Sequence, residues 1–130
     1  MFDLKGKKAL VTGSTQGIGF AVAKLLANCG AEIIIHGATS EEKCRKAAEQ
    51  ILGKTQIAVA NLADSDCAEN LYRQTGDIDI LVLNASVQIR KPWDEITAEE
   101  FELQIHTNLK SSLMLIQKYA KHMQLSLIHI

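Results

Sequence analysis

Apolar positions along the chain alternate between two periods. Uninterrupted runs at residues 9–11, 33–35, 57–60 and 80–83 (ALV, III, IAVA and ILVL) have the length and character of strands covered on both faces. Between them the apolar residues spread to a helical spacing. Ile18, Ala21, Val22, Leu25 and Leu26 recur at i, i+3, i+4, i+7 and i+8, which predicts a helix burying these five, with Gly30 just past its end. Thr39 and Glu42 form a capping-box pair for a second helix running to about Leu52. Asp64 opens a third helix that ends near Gly76, and Thr97 with Glu100 caps a further helical stretch. A long last helix carries Leu109, Leu113, Ile116, Ala120 and Met123 on one face.

Strand followed by helix, repeated with short connections, predicts an α/β fold. The simplest arrangement is a doubly wound, Rossmann-type parallel sheet with helices on both faces. Ligands of such sheets bind at the carboxyl ends of the strands. The turn VTGSTQGIG at residues 11–19 falls there and places Gly13, Gly17 and Gly19 where the first strand becomes the first helix. A helix start presents unpaired N–H groups and the positive end of its dipole, which favours a phosphate. Gly13 lets the chain leave the strand tightly, Gly17 removes a Cβ where a pyrophosphate would touch backbone, and Gly19 lets the helix approach the sheet. The spacing G-x-x-x-G-x-G departs from the general G-x-G-x-x-G fingerprint, and a tight turn without a ligand is the plain alternative.

The octet TGSTQGIG closely resembles the cofactor motif of the short-chain dehydrogenase/reductase family, and the resemblance runs from about Lys5 to Gln124. The family's strand-four signature D-I-L-V-N-N-A-G appears as DILVLNAS at residues 79–86. Asn84 and Ala85 match it, whereas Leu83 and Ser86 replace an asparagine and a glycine. Asn61 and Leu62 match the adenine-side pair, and Asn108 in HTNLKSS matches the asparagine of the catalytic tetrad. The resemblance implies that Gly13, Ser14, Thr15, Gln16, Gly17, Ile18 and Gly19 hold a nicotinamide dinucleotide together with Asn61, Leu62, Asn84 and Ala85. It implies that Asn108 marks a distorted helical turn whose carbonyl holds a water in a proton relay. Each asparagine has an ordinary alternative: a strand-end cap at 84, turn chemistry at 61, a tolerated surface position at 108.

NAD-preferring members usually place an aspartate at the end of the second strand. Here IIIHGATSEEK puts Gly37 and Ala38 at that point, with neither an acid nor an arginine. Thr39 and Ser40, at a helix start, offer hydroxyls and backbone N–H groups to the extra phosphate of NADP. The pattern resembles the bacterial 3-oxoacyl-[acyl-carrier-protein] reductases of the family, and the expected cofactor is NADP. Family chemistry is hydride transfer, with a tyrosine as general acid/base, a lysine tuning it in Y-x-x-x-K, and a serine orienting the substrate oxygen. Four residues beyond Tyr72 and Tyr119 stand Gly76 and Met123, so the family's Ser, Tyr and Lys have no counterpart in this chain.

Composition narrows the remaining classes. The 130 residues are 47% hydrophobic and 22% charged, as expected of one soluble globular domain. A net charge of -1 offers no basic surface to nucleic acid. No apolar run reaches a membrane span, and MFDLKGKKAL has charges where a signal peptide needs apolar residues. Cys29, Cys44 and Cys67 lack C-x-x-C spacing and read as reduced and structural, so a cytoplasmic protein without a metal site is expected. His36, His106, His122 and His129 form no cluster in the sequence and are read as ordinary.

Family members continue past the position of Met123 through a connector, a fifth strand and a second half. Here LSLIHI, residues 125–130, follows almost at once. It is the translation of CTG-TCT-CTT-ATA-CAC-ATC, the end of a transposon adapter. Residues 1–124 are therefore read as a partial NAD(P)-binding domain truncated after about the fourth strand, and residues 125–130 as adapter-derived; a natural short tail is the alternative. The expected function is an NAD(P)(H)-dependent oxidoreductase acting on a small-molecule carbonyl, alcohol or acyl thioester. The chain would be its cofactor-binding half, inactive alone, from a homotetrameric parent assembled through the long helix. An NADP-sensing protein and a non-catalytic dinucleotide-binding fragment are the alternatives.

Overall fold

The computed structural model describes residues 2–124, so the segment read as adapter-derived lies outside the described residues. Four strands, β1 (Lys8–Val11), β2 (Glu32–Gly37), β3 (Thr55–Val59) and β4 (Ile80–Val82), pair in parallel in the order β3-β2-β1-β4. Helices α1 (Gly17–Asn28), α2 (Glu41–Glu49) and α3 (Cys67–Thr75) connect them. Beyond β4 come a 3₁₀ turn (Trp93–Glu95), α4 (Ala98–Ile105), a π-helical turn (His106–Lys110) and α5 (Ser111–Gln124). The chain winds outward through β2 and β3, then returns to the far side of β1 as β4. That reversal opens a crevice at the carboxyl ends of β1 and β4.

Strand residues alternate between two covered faces, which is why the runs are apolar throughout. Ala9, Val11, Ile33 and Ile35 pack with Ala23 of α1 and Cys44 of α2. Leu10, Ile34 and Ala58 pack on the other side with Leu71 of α3 and Leu115 and Tyr119 of α5. Register follows the same logic: Leu10 lies between Ile34 and Leu81, and Val11 between Ile35 and Val82. Tyr119 is buried, and its hydroxyl shares a 2.7 Å hydrogen bond with Thr75 Oγ1.

Element ends differ from the sequence reading at three points, two on α2 and one on α3. Ser40, not Thr39, caps α2: its Oγ accepts from the Lys43 N–H at 3.2 Å, and the helix stops at Glu49. α3 begins at Cys67 rather than Asp64, because the Asp64 and Cys67 amides close tight turns onto the Asn61 and Asp64 carbonyls. The capping box of Thr97 and Glu100 forms in both directions.

The buried stripes also differ. On α1, Ile18 is 78% and Leu25 61% exposed, while Gly19 and Ala23 face the sheet with Val22 and Leu26 partly covered. Small residues bring the helix close, so they occupy the contact. On α5, Leu115, Tyr119 and Met123 are buried and Leu113 and Ile116 are exposed, as is Leu109 in the π-helical turn before it. Within α5 the stripe of Leu113, Ile116 and Ala120 runs beside that of Leu115 and Tyr119, and Met123 belongs to both, so apolar spacing alone does not choose the buried face. Replacing Leu115 with Ala is therefore expected to lower the monomer's stability by about 2–5 kcal/mol. Leu113→Ala and Ile116→Ala should each stay within about 0.5 kcal/mol. Urea unfolding measures all three, and the opposite ranking would restore the face read from the sequence.

Candidate functional site

The turn after β1 forms the floor of a cleft of about 390 Å³ at the carboxyl ends of the strands. Gly13 has φ +65, and a Cβ there would meet Ala85 Cα at 2.9 Å. Its peptide groups are held from both sides. The Gly13 N–H donates to His36 Nδ1 at 3.0 Å, and the Gly13 carbonyl accepts from Asn84 Nδ2 at 3.1 Å. Asn84 Nδ2 also donates to the Thr12 carbonyl at 3.0 Å. Thr12 Oγ1 in turn accepts the N–H groups of Asn84 and Ala85 at 3.0 and 3.1 Å. The ends of β1 and β4 are thus stitched together side chain to backbone.

Gly19 is buried in the first turn of α1, and a Cβ there would lie 2.5 Å from both the Gly13 carbonyl oxygen and Asn84 Nδ2. Gly17 has φ +61 and nothing within 4 Å of where its Cβ would stand. Gln16 supplies no side-chain cap to α1. The Gly13 and Ser14 amides are engaged by His36, through its ring and its carbonyl. The donors left without an intrahelical carbonyl are those of the first helical turn, from Gly17 onward.

Of the residues singled out in the sequence, Gly13, Thr15, Gln16, Gly17 and Ile18 line the cleft. Asn61 and Leu62 line it beyond β3, and Asn84 and Ala85 beyond β4. Ser14 faces the sheet instead, accepting the His36 N–H on its Oγ at 3.0 Å. Thr39 is exposed beside the rim, where its neighbour Ala38 lines the cleft. Asn61 Oδ1 accepts the Ala63 N–H at 3.0 Å, so turn chemistry already engages that side chain. Asn108 lies in the π-helical turn, away from the cleft lining. Its amide clamps Val87, accepting from the N–H at 2.7 Å and donating to the carbonyl at 2.8 Å, and so fixes the loop after β4.

Three site residues were missed. Thr12 leads the glycine turn, which was a readable signal; His36, the penultimate residue of β2, gave none, because its partners are backbone groups far away in sequence. Thr107 had none, since its direction depends on the π-helical turn. Its side chain is 6% exposed and lines the cleft, and its Oγ1 has no partner. Such a buried hydroxyl calls for a ligand or water. Among the described residues no charged side chain lines the cleft. The amides of α1, the open space at Gly17 and the free Thr107 hydroxyl fit a phosphate-bearing ligand with further polar groups.

His36 is 1% exposed, and burial pushes its pKa below the usual 6.5 against the opposing pull of the Ala60 carbonyl.

The sequence profile of short chain dehydrogenase matches residues 7–126. The chain belongs to the short chain dehydrogenase family. It is 36% identical over 123 residues to the 3-oxoacyl-[acyl-carrier-protein] reductase of Rickettsia prowazekii, covering 95% of this chain and 51% of that one. It is 34% identical over 129 residues to gluconate 5-dehydrogenase of Gluconobacter oxydans, covering 95% and 50%. A 3-oxoacyl (acyl-carrier-protein) reductase of Agrobacterium tumefaciens, solved with NADP bound, superposes with a TM-score of 0.87 at 33% identity, over 94% of this chain and 49% of that one. This short chain dehydrogenase sequence therefore spans about half the length of the relatives it matches.

Two consequences for this family member are measurable. Gly19→Ala forces α1 off the Gly13 carbonyl and should cost about 1–3 kcal/mol of stability in thermal or denaturant unfolding. His36 binds a proton less readily folded than unfolded, so its contribution is complete above 6.5 and is lost as pH falls below that value. The thermal midpoint should drop between about pH 7 and pH 5, and drop less in His36→Asn.

Proposed function

We propose that this chain is the dinucleotide-binding half of an NADP(H)-dependent oxidoreductase that interconverts a carbonyl and an alcohol. The observation that carries the proposal is the uncapped start of α1, held against the crevice by Gly13 and Gly19 and open at Gly17. A diphosphate there is neutralised by main-chain amides and the helix dipole rather than by a cation. Asn61 and Leu62 flank the β3 side of the cleft, suited to an adenine, and Ala38 with Thr39 the end of β2. The absence of an acid at that end supports NADP over NAD. NADP is also what the Agrobacterium reductase and a landomycin C-6 ketoreductase hold in their structures.

On the β4 side, Asn84, Ala85 and Thr107 form the wall against which a nicotinamide would be oriented. That ring supplies the hydride. The Thr107 hydroxyl is free to hold a polar group of the ligand or a water, and Asn108 holds the wall by clamping Val87. The Asn108 carbonyl, with the Ser112 hydroxyl 3.4 Å away, is the atom available for a relay water. The reductase and dehydrogenase relatives support a small-molecule carbonyl, alcohol or acyl thioester as the substrate of the whole protein.

Neither tyrosine serves as the acid/base. Tyr72 donates to Asp77 at the amino end of β4, and this hydrogen bond raises its pKa; burial raises that of Tyr119. A general acid/base for carbonyl reduction needs the opposite shift. The chain alone is accordingly proposed to bind without turnover. Phe101, Ile105, Leu109, Leu113 and Ile116 leave an exposed apolar run along α4 and α5, which supports self-association of the whole protein through these helices.

Calorimetric titration of the chain with NADP⁺ and NAD⁺ tests the reading, alongside absorbance assays of NADPH oxidation with an acetoacetyl thioester. Saturable binding is expected, tighter for NADP⁺, with no oxidation above the blank. Failure to bind either nucleotide would remove the proposal; tighter NAD⁺ binding would reverse the cofactor preference, and measurable oxidation would refute the silent half.

A further inference from the structure

His36 is buried among the strand ends, yet its ring borders the cleft and both ring nitrogens are engaged. Nε2 lies 2.8 Å from the Ala60 carbonyl, which can only accept, so Nε2 carries the proton. Nδ1 then holds a lone pair and accepts the Gly13 N–H at 3.0 Å. One neutral tautomer satisfies both contacts. The backbone of the same residue grips Ser14, whose N–H donates to the His36 carbonyl at 3.0 Å and whose Oγ accepts the His36 N–H at 3.0 Å. Residues 13 and 14 are therefore tied to β2 entirely through residue 36.

Gly13 has no side chain by which packing could set its orientation, and its positive φ makes it the pivot of the turn. The Asn84 amide holds its carbonyl from the β4 side, and the His36 ring holds its N–H from the β2 side. With the ring in place, the Gly13 amide points at β2, and the chain beyond Ser14 lines the cleft from Thr15 into the start of α1. An apolar side chain at 36 would leave this part-buried N–H unpaired unless the turn rotates.

We propose that His36 is the positioning residue of the dinucleotide loop: Nδ1 aims the start of α1 at the ligand by fixing Gly13, while Nε2 serves stability through Ala60. The proposal rests on the dinucleotide reading above. It separates the two ring contacts, and amide side chains can test them one at a time. In His36→Asn the amide oxygen stands near the place of Nδ1 and accepts from Gly13, but the side chain is too short for Ala60. In His36→Gln the amide N–H reaches the place of Nε2 and donates to Ala60, leaving Gly13 without its acceptor.

The test is NADP⁺ calorimetry and thermal unfolding on the full chain and both variants. Both variants are expected to melt earlier, each having lost one ring contact, but His36→Asn binds NADP⁺ within about twofold of the unsubstituted chain whereas His36→Gln loses about tenfold in affinity. Equal loss of affinity in the two variants, or a greater loss in the Asn than in the Gln variant, overturns the proposal. If the Gln variant does not fold, the Asn variant decides: retained affinity at lowered stability supports the role, and lost affinity refutes it. An unsubstituted chain that binds no NADP⁺ defeats the dinucleotide reading itself and the role of His36 with it, an outcome visible before any variant is compared.

Discussion

The peptide groups of Gly13 are clamped between two strands, with the N–H on the ring of His36 and the carbonyl on the amide of Asn84. Everything at the carboxyl end of the sheet is arranged around that clamp. It fixes where the chain leaves β1, and hence where α1 starts. Gly19 lets the first turn of α1 lie directly on the clamped carbonyl, so helix and turn share one contact. Thr12 repeats the device one residue earlier by accepting two amides from the end of β4. A helix start fixed this firmly keeps its unpaired amides aimed into the crevice, which is preorganisation for an anion without a charged side chain.

A second constraint sits across the crevice. The π-helical turn between α4 and α5 rotates its residues away from a regular helical register. It brings the Thr107 hydroxyl to the cleft lining and sets the Asn108 side chain on Val87. Gln104 adds a bond to the Ile89 N–H at 3.1 Å, so the loop after β4 is pinned at two points. π-bulges concentrate at functional sites because an extra residue re-aims side chains that a regular helix would send elsewhere. Here the irregular turn supplies one wall of the cleft and the glycine turn supplies its floor.

The architecture was legible because strand runs such as residues 33–35 are short, β-branched and apolar at consecutive positions, as a sheet covered on both faces requires. The glycine turn was legible because Gly13, Gly17 and Gly19 each answer a different geometric need: a turn, an open space and a close approach. Helix faces were less so. α1 and α5 each carry two neighbouring apolar stripes, and periodicity alone does not say which one meets the sheet. Close approach selected the small-residue face of α1, and packing against α3 and the sheet selected the Leu115 and Tyr119 face of α5. The cap of α2 shifted by one residue because Thr39 and Ser40 are chemically equivalent caps, and only the backbone path chooses between them. His36 went unrecognised because its role lies in two backbone partners, Gly13 and Ala60, that are far from it in sequence.

The central claim is that the main-chain amides at the start of α1 receive a diphosphate. The most direct measurement is a crystal structure of the chain grown with NADP⁺. The account predicts the diphosphate within hydrogen-bond distance of the amides at Gly17 and Ile18, with His36 still bonded to Gly13. A nucleotide seated elsewhere, or that turn closed by a side chain while NADP⁺ saturates the protein, would contradict it.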